Sequence, residues 1–267
     1  MSQREKTRRD FIKVASAAVV SGSIASTAQP DTDAATKILN YSTSMNYRRL
    51  GKTEFIISEI ALGGHGAGGY DERAIQNRIP VLERAVELGM NYVDTNIGRE
   101  CEVYGEAMAR SATAKRDKWF IGFASSEDKY VPGLEDKLTA AKLMASIEDR
   151  LRSYKTDMLD MWRPVAATWA QIEPNVDRRL AVTSRMFDMV VQVFEKAKQQ
   201  GKVRFLGTSE HEPQVFQQVL EEYPQFQVII FPCFFLNEKS VADALLELAR
   251  KKDVGTIGMK VFGAGSV

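Results

Sequence analysis

SEIALGGHGAGGYDERAI, Ser58 to Ile75, is the stretch on which the fold turns. An apolar strand, SEIALGG, runs into Gly64, Gly66 and Gly69, which form a literal GxGxxG, and Asp94 follows where a dinucleotide-binding domain would place its ribose-binding acid. Such a domain needs its third glycine in the first turn of a helix, because the pyrophosphate rests on the helix amino terminus. Here the helical pattern begins only after Tyr70 and Asp71. The glycines then read as a loop following a barrel strand. In a (β/α)8 barrel the catalytic residues sit at the carboxyl ends of successive strands.

Upstream of this stretch, YRRLGKTEFIISEI, Tyr47 to Ile60, has the pattern of a small hairpin turned at Gly51. Downstream, NYVDTN, WFIGFAS, MLDMWRPVA, VRFLGTS, QVIIFPCFF and VGTIGMKVFG are short apolar strands. Amphipathic helices are expected over Ala74 to Leu88, Cys101 to Ala114, Leu138 to Tyr154, Ser184 to Gln200, Pro213 to Tyr223 and Ser240 to Lys251. Seven strands, six of them followed by helices and with no break into halves, predict an α/β TIM-type barrel preceded by a hairpin. Thr168 to Val182 fits neither period and reads as a long loop. The chain stops at Val267, just past the seventh strand, so the eighth βα unit and its phosphate-binding loop are expected to be missing. A truncated form of a longer protein is the favoured explanation; a second chain completing the sheet is the other.

Composition narrows the function. The chain has 267 residues, 44% hydrophobic and 27% charged, enough to bury a substantial core. Its 36 basic and 35 acidic residues leave a formal charge of +1, so no one-sided field exists to attract nucleic acid, which is excluded as a partner. Cys101 and Cys233 form neither a disulfide framework nor a CxxC motif and read as inert buried thiols. A metal site built from His65, His211, Asp94 and Glu210 would lack short-spaced ligand pairs, and no metal is assigned.

The first 28 residues read as an address. TRRDFIK, Thr7 to Lys13, is followed by the modestly apolar AAVVSGSIASTA and small residues near Ala28, a pattern that resembles a twin-arginine (Tat) signal peptide. Residues 29–44 are polar and aperiodic, a linker, and residues 45–267 form the barrel. The expectation is a protein exported through the Tat machinery to the periplasm or beyond, with no stable membrane span after processing.

YRRLGKTEFIISEIALGG resembles the YRxLGxTGxxVSxxxLG opening of aldo/keto reductases, and the likeness continues through GMNYVDTN, CEVYGEAM, KVRFLGTSEHEP and IGMKVFGAG. It runs from Tyr47 to the end. The resemblance implies a barrel reductase that moves hydride between NADP(H) and a small carbonyl or sugar-like substrate.

The chemistry departs from that family. Its members use an Asp, a Tyr, a Lys and a His at four strand ends, the lysine lowering the phenol's pKa so that tyrosine can donate the proton. Asp94 stands at the Asp position. Five residues on, the tyrosine position holds Arg99, whose guanidinium does not release a proton near neutrality. FIxTK becomes FIGFAS, with Ala124 at the lysine position, and the histidine position falls near Val165. The family's Ser-Asn pair after strand five appears as Ser209 and Glu210. The catalytic candidates are therefore Asp94, Arg99 and Lys260, and the cofactor candidates are Ser209, Glu210 and Lys260. Arg163, on the inward parity of its strand, joins His65 and His211 as substrate-binding candidates. Asp94 is expected to pair with Arg99 or a neighbour. Tyr104 and Trp162 are expected to be packing residues. The alternative is a barrel that has lost catalysis and binds a ligand or partner.

Overall fold

The computed structural model describes residues 38–64, 69–125, 139–164, 176–211, 213–233 and 240–261; for residues 176–185 and 240–242 it describes the backbone alone. The twin-arginine segment and His65 lie outside these residues. Two antiparallel strands come first, β1 (Tyr47–Arg49) and β2 (Ile56–Ser58), paired with Arg48 opposite Ile57. Seven parallel strands follow: β3 (Leu62–Gly63), β4 (Tyr92–Thr95), β5 (Phe120–Ser125), β6 (Leu159–Pro164), β7 (Val203–Ser209), β8 (Phe226–Pro232) and β9 (Gly255–Met259). The helices are α1 (Glu72–Glu87), α2 (Gly98–Arg110), α3 (Ala140–Tyr154), α4 (Val176–Gln199), α5 (Pro213–Glu222) and α6 (Ser240–Lys251).

Each strand pairs with the next in sequence, in the order β3-β4-β5-β6-β7-β8-β9. This sequential order belongs to a barrel. A doubly wound sheet would reverse direction at a switch point, as the GxGxxG alternative required. Among the described residues no strand pairs with the outer edges of β3 and β9. The arrangement is thus a TIM-type fold one βα unit short of eight.

Strand alternation sends two sets of side chains to two cores. Outward, Val93, Ile121, Phe123, Trp162 and Leu206 meet the apolar faces of the helices. Inward, Tyr92, Phe120, Met161, Val228 and Ile230 pack with Leu50 and Ile57 from the hairpin, which plugs the amino-terminal end. Phe120 centres that layer, its ring 4.7 Å from Phe55 and 5.9 Å from Phe205. Full burial of such a ring stabilises by about 1.5–3 kcal/mol. Gly51 seats the plug. Its φ is +51°, and a Cβ there would lie 2.2 Å from the Gly255 nitrogen, so only glycine allows the hairpin to meet the start of β9.

Local signals explain the helix starts. The Asp71 side chain accepts from the Ala74 amide at 2.9 Å to cap α1, and Thr139 accepts from the Lys142 amide at 3.2 Å to cap α3. The expected loop over Thr168 to Val182 is corrected in part, since α4 already begins at Val176. Helix propagates at little cost from a packed segment, and Met186, Phe187 and Val190 are buried, so β-branched Val182 and Thr183 are carried along. Residues 38–44, assigned to the linker, are tied to the barrel. Ile38 is buried, and Asn40 Nδ2 donates to the carbonyls of Met90 and Lys118 at 2.7 and 2.9 Å. Among the described residues no helix is long and apolar enough to cross a membrane.

Candidate active site

The inward side chains at the carboxyl ends of β4, β6 and β7 are Asp94, Arg163 and Ser209. β4 and β6 are separated by β5, which is two strand spacings or roughly 9.5 Å. Only a long side chain can bridge that gap, and only if β5 keeps clear. It does so with Gly122, opposite Asp94 in register, and with Ala124, opposite Arg163. A Cβ at Gly122 would come within 2.8 Å of both Asp94 Oδ1 and the Tyr92 hydroxyl.

Across this clearance Arg163 Nη2 donates to Asp94 Oδ2 at 2.7 Å and Nε donates to Oδ1 at 3.3 Å, a two-point fork. Nη1 donates to Ser209 Oγ at 2.6 Å, and Nη2 also reaches the Thr95 carbonyl at 3.3 Å. The Arg163 side chain is 5% exposed and that of Asp94 23%. Tyr92, one strand layer below, donates its hydroxyl to Asp94 Oδ1 at 3.1 Å.

Burial raises the Asp94 carboxyl above its ordinary range, while the charge and hydrogen bonds of Arg163 and the Tyr92 hydroxyl pull it back. Burial, with the Asp94 charge beside it, lifts the Tyr92 phenol well above its ordinary value. Tyr92 therefore supports Asp94 and is unsuited to donating a proton near neutrality.

A second group lies at the rim. Lys260, with φ of +56°, sits just past β9, and its Nζ is 2.7 Å from Nε2 of His211, just past β7. Both residues are exposed. Between Ser209 and His211 in sequence stands Glu210. It is fully buried, and its Oε1 accepts from the His211 amide at 2.6 Å.

The structure thus brings Asp94, Arg163 and Ser209 into one cluster and His211 with Lys260 into another. Arg99 stands exposed in the first turn of α2, and the partner of Asp94 is Arg163. Tyr104 and Trp162 are packing residues behind the sheet, with hydrogen bonds to the Gly63 carbonyl and Ser125 Oγ. Cys101 is buried, and burial pushes its thiol up to about 11. Cys233, expected to be buried, is exposed just past β8, where its amide donates to the Met259 carbonyl at the end of β9. Among the described residues no group of three or more His, Cys, Asp or Glu side chains is placed to hold a metal ion. Sequence reasoning missed the role of Tyr92 and the clearance at Gly122. The signals were a tyrosine two residues before Asp94 on the same strand face and a glycine inside a strand.

Comparison with known proteins agrees with the barrel fold. The chain is 28% identical over 188 residues to the oxidoreductase YqkF of Bacillus subtilis, covering 67% of this chain and 53% of that protein. It is 23% identical over 235 residues to L-galactose dehydrogenase of Arabidopsis thaliana, covering 84% of this chain and 67% of that enzyme. The chain therefore spans about half the length of the first relative and two thirds of the second. Among solved structures, the holo form of an aldo-keto reductase from Bacillus halodurans superposes with a TM-score of 0.63 at 21% identity, over 83% of this chain and 68% of that one. A family model described as the aldo/keto reductase family matches residues 59–267, and on that match, with the parallel barrel and its polar carboxyl-end cluster, the chain belongs to the aldo/keto reductase family.

Proposed function

We propose that the protein is an NADP(H)-dependent oxidoreductase that acts on a small carbonyl or sugar-like substrate through a modified active site. The observation that carries this is the Asp94–Arg163–Ser209 cluster, a charged network held at the carboxyl end of a barrel of oxidoreductase family.

The donor set fits the cofactor. Ser209 Oγ accepts from Arg163, so its own hydrogen is left to bind a carboxamide oxygen. Lys260, exposed at the rim, has the charge a phosphate requires. When bound, the nicotinamide supplies hydride for the carbonyl carbon. The proton for the carbonyl oxygen then falls to the Lys260 ammonium or to water, because Arg99 cannot release one and Tyr92 is held on Asp94. Arg163 keeps Asp94 in place and matched in charge, and Asp94 keeps Arg163 aimed at Ser209.

Titration of the full chain with NADPH, read by fluorescence, is expected to saturate; absence of saturable binding rejects the proposal. Asp94→Asn is expected to cut turnover at least tenfold, and unchanged turnover would remove Asp94 from the mechanism. The second reading, a barrel that binds a ligand or partner without catalysis, is favoured by the exposed Arg99 at the family's tyrosine position. It predicts neither NADPH binding nor turnover. The TRRDFIK segment supports export by the Tat machinery to the periplasm. Replacing Arg8 and Arg9 with lysine should retain the protein in the cytoplasmic fraction, and continued export would reject that route.

A further inference from the structure

β4 ends at Thr95, and alternation turns this side chain away from Asp94, out of the barrel and toward α2 and α3. There Thr95 Oγ1 meets three groups: the Tyr154 hydroxyl at 3.0 Å, Cys101 Sγ at 3.3 Å and the Gly122 carbonyl at 3.4 Å. All four residues are buried, so each polar atom depends on the others for its hydrogen bonds.

Protonation fixes the direction of this chain. Burial lifts the Tyr154 phenol well above its ordinary value and pushes the Cys101 thiol up to about 11, so both keep their hydrogens near neutrality. Both can then donate to the lone pairs of Thr95 Oγ1, and the Thr95 hydrogen goes to the Gly122 carbonyl. Among the described residues the Tyr154 hydroxyl has no partner besides Thr95. Tyr154 reaches this position because the last turn of α3 lies directly on α2. Gly105 admits it: a Cβ there would fall 1.9 Å from the Ser153 carbonyl oxygen.

Thr95 also touches the mouth, from its main chain. Its carbonyl accepts from Arg163 Nη2 at 3.3 Å, the nitrogen that donates to Asp94 Oδ2 at 2.7 Å. Neighbouring residues of β4 thus hold one corner of the guanidinium, and the other corner, Nη1, donates to Ser209 Oγ at 2.6 Å. The carbonyl to which Thr95 donates belongs to Gly122, the β5 residue that clears the path of the fork. We infer that Tyr154 is a positioning residue for the mouth cluster: through Thr95 it holds the end of β4 where Arg163 binds Asp94 and Ser209 at once. This rests on the reading of that cluster as the active site. Phenylalanine at 154 would fill the same space and leave Thr95 without its donor.

The test uses the folded full chain without cofactor and reads the Arg163 Nε–H by NMR, because that hydrogen exchanges with solvent when the fork to Asp94 opens. Tyr154→Phe and Thr95→Val are each expected to speed the exchange roughly fivefold. The double variant should exchange no faster than Thr95→Val, since both changes remove one contact. Thr95→Ser keeps the hydroxyl and should exchange at the wild-type rate. Ile147→Val, a buried change on α3 that involves no polar atom, controls for loosened packing. Thermal melts verify that the variants fold; if Thr95→Val does not, Tyr154→Phe against Thr95→Ser and Ile147→Val decides. Wild-type exchange in Tyr154→Phe, additive effects in the double variant, or equal acceleration in Thr95→Ser or Ile147→Val overturns the inference. Faster exchange in Tyr154→Phe with no saturable NADPH binding by the wild type would instead reject the reductase reading and leave this tie standing. Saturable NADPH binding with wild-type exchange in Tyr154→Phe would do the reverse.

Discussion

Replacing Arg163 with methionine removes the cation that matches Asp94 while keeping most of the apolar stem that fills the space between β4 and β6. The Asp94 carboxylate is then left beside the buried Tyr92 hydroxyl with no charged partner among the described residues. Breaking a buried pair costs about 3–5 kcal/mol, because the surviving charge is uncompensated. Asp94 keeps 23% of its side chain exposed, which permits some hydration, so the lower end, about 3 kcal/mol at pH 7, is expected. For a chain of this size that corresponds to a fall in Tm on the order of 10 °C. The pH dependence identifies the cause. Burial already raises the native carboxyl, and losing Arg163 raises it further, so the folded variant takes up a proton that the unfolded chain does not. Stability of the variant relative to wild type then recovers as the pH falls from 7 through the native pKa toward the unfolded value. Adding Asp94→Asn should also restore most of the loss at pH 7. Thermal melts at pH 7 and pH 4.5 on the single and double variants make the measurement. A single variant melting within about 2 °C of wild type, or a deficit as large at pH 4.5 as at pH 7, would refute the account.

Three further outcomes follow from the same geometry. Gly122→Ala places a Cβ within 2.8 Å of Asp94 Oδ1 and the Tyr92 hydroxyl, so a loss of about 1–3 kcal/mol and weaker NADPH binding are expected; a melt identical to wild type would show that β5 gives way instead. Tyr92→Phe removes one buried donor from Asp94, which should cost about 1 kcal/mol and move the Asp94 carboxyl titration, followed by NMR, upward; a downward move would contradict the assigned hydrogen bond. A thiol reagent at neutral pH should label exposed Cys233 in the native protein and reach Cys101, fully buried with its thiol pushed up to about 11, only after denaturation; native labelling of both would contradict the packing behind β4.

Much of the fold is legible in local pattern. A period of two marks VRFLGTS as a strand, and the structure places β7 over the same residues, Val203–Ser209. The 3.6-residue period locates α3, α5 and α6 to within two residues of their observed ends. Boundaries fail where neighbours decide them. Val176 to Thr183 has no strong signal of its own and is helical as the continuation of a packed segment. Residues 38–44 look like linker because their polar groups serve partners far along the chain, such as the Lys118 carbonyl 78 residues from Asn40.

By itself the sequence determined that parallel strands alternate with helices, that the hairpin precedes them, and that Asp94 and Ser209 stand at strand ends, because these follow from periodicity and residue order within single elements. It could not choose the partner of Asp94. Arg99 is five residues away and Arg163 is 69, and proximity along the chain favoured the wrong one. Tertiary structure decided it. Strand register sets Gly122 and Ala124 between the two charges, and a guanidinium crosses an intervening strand only where that strand offers almost no side chain.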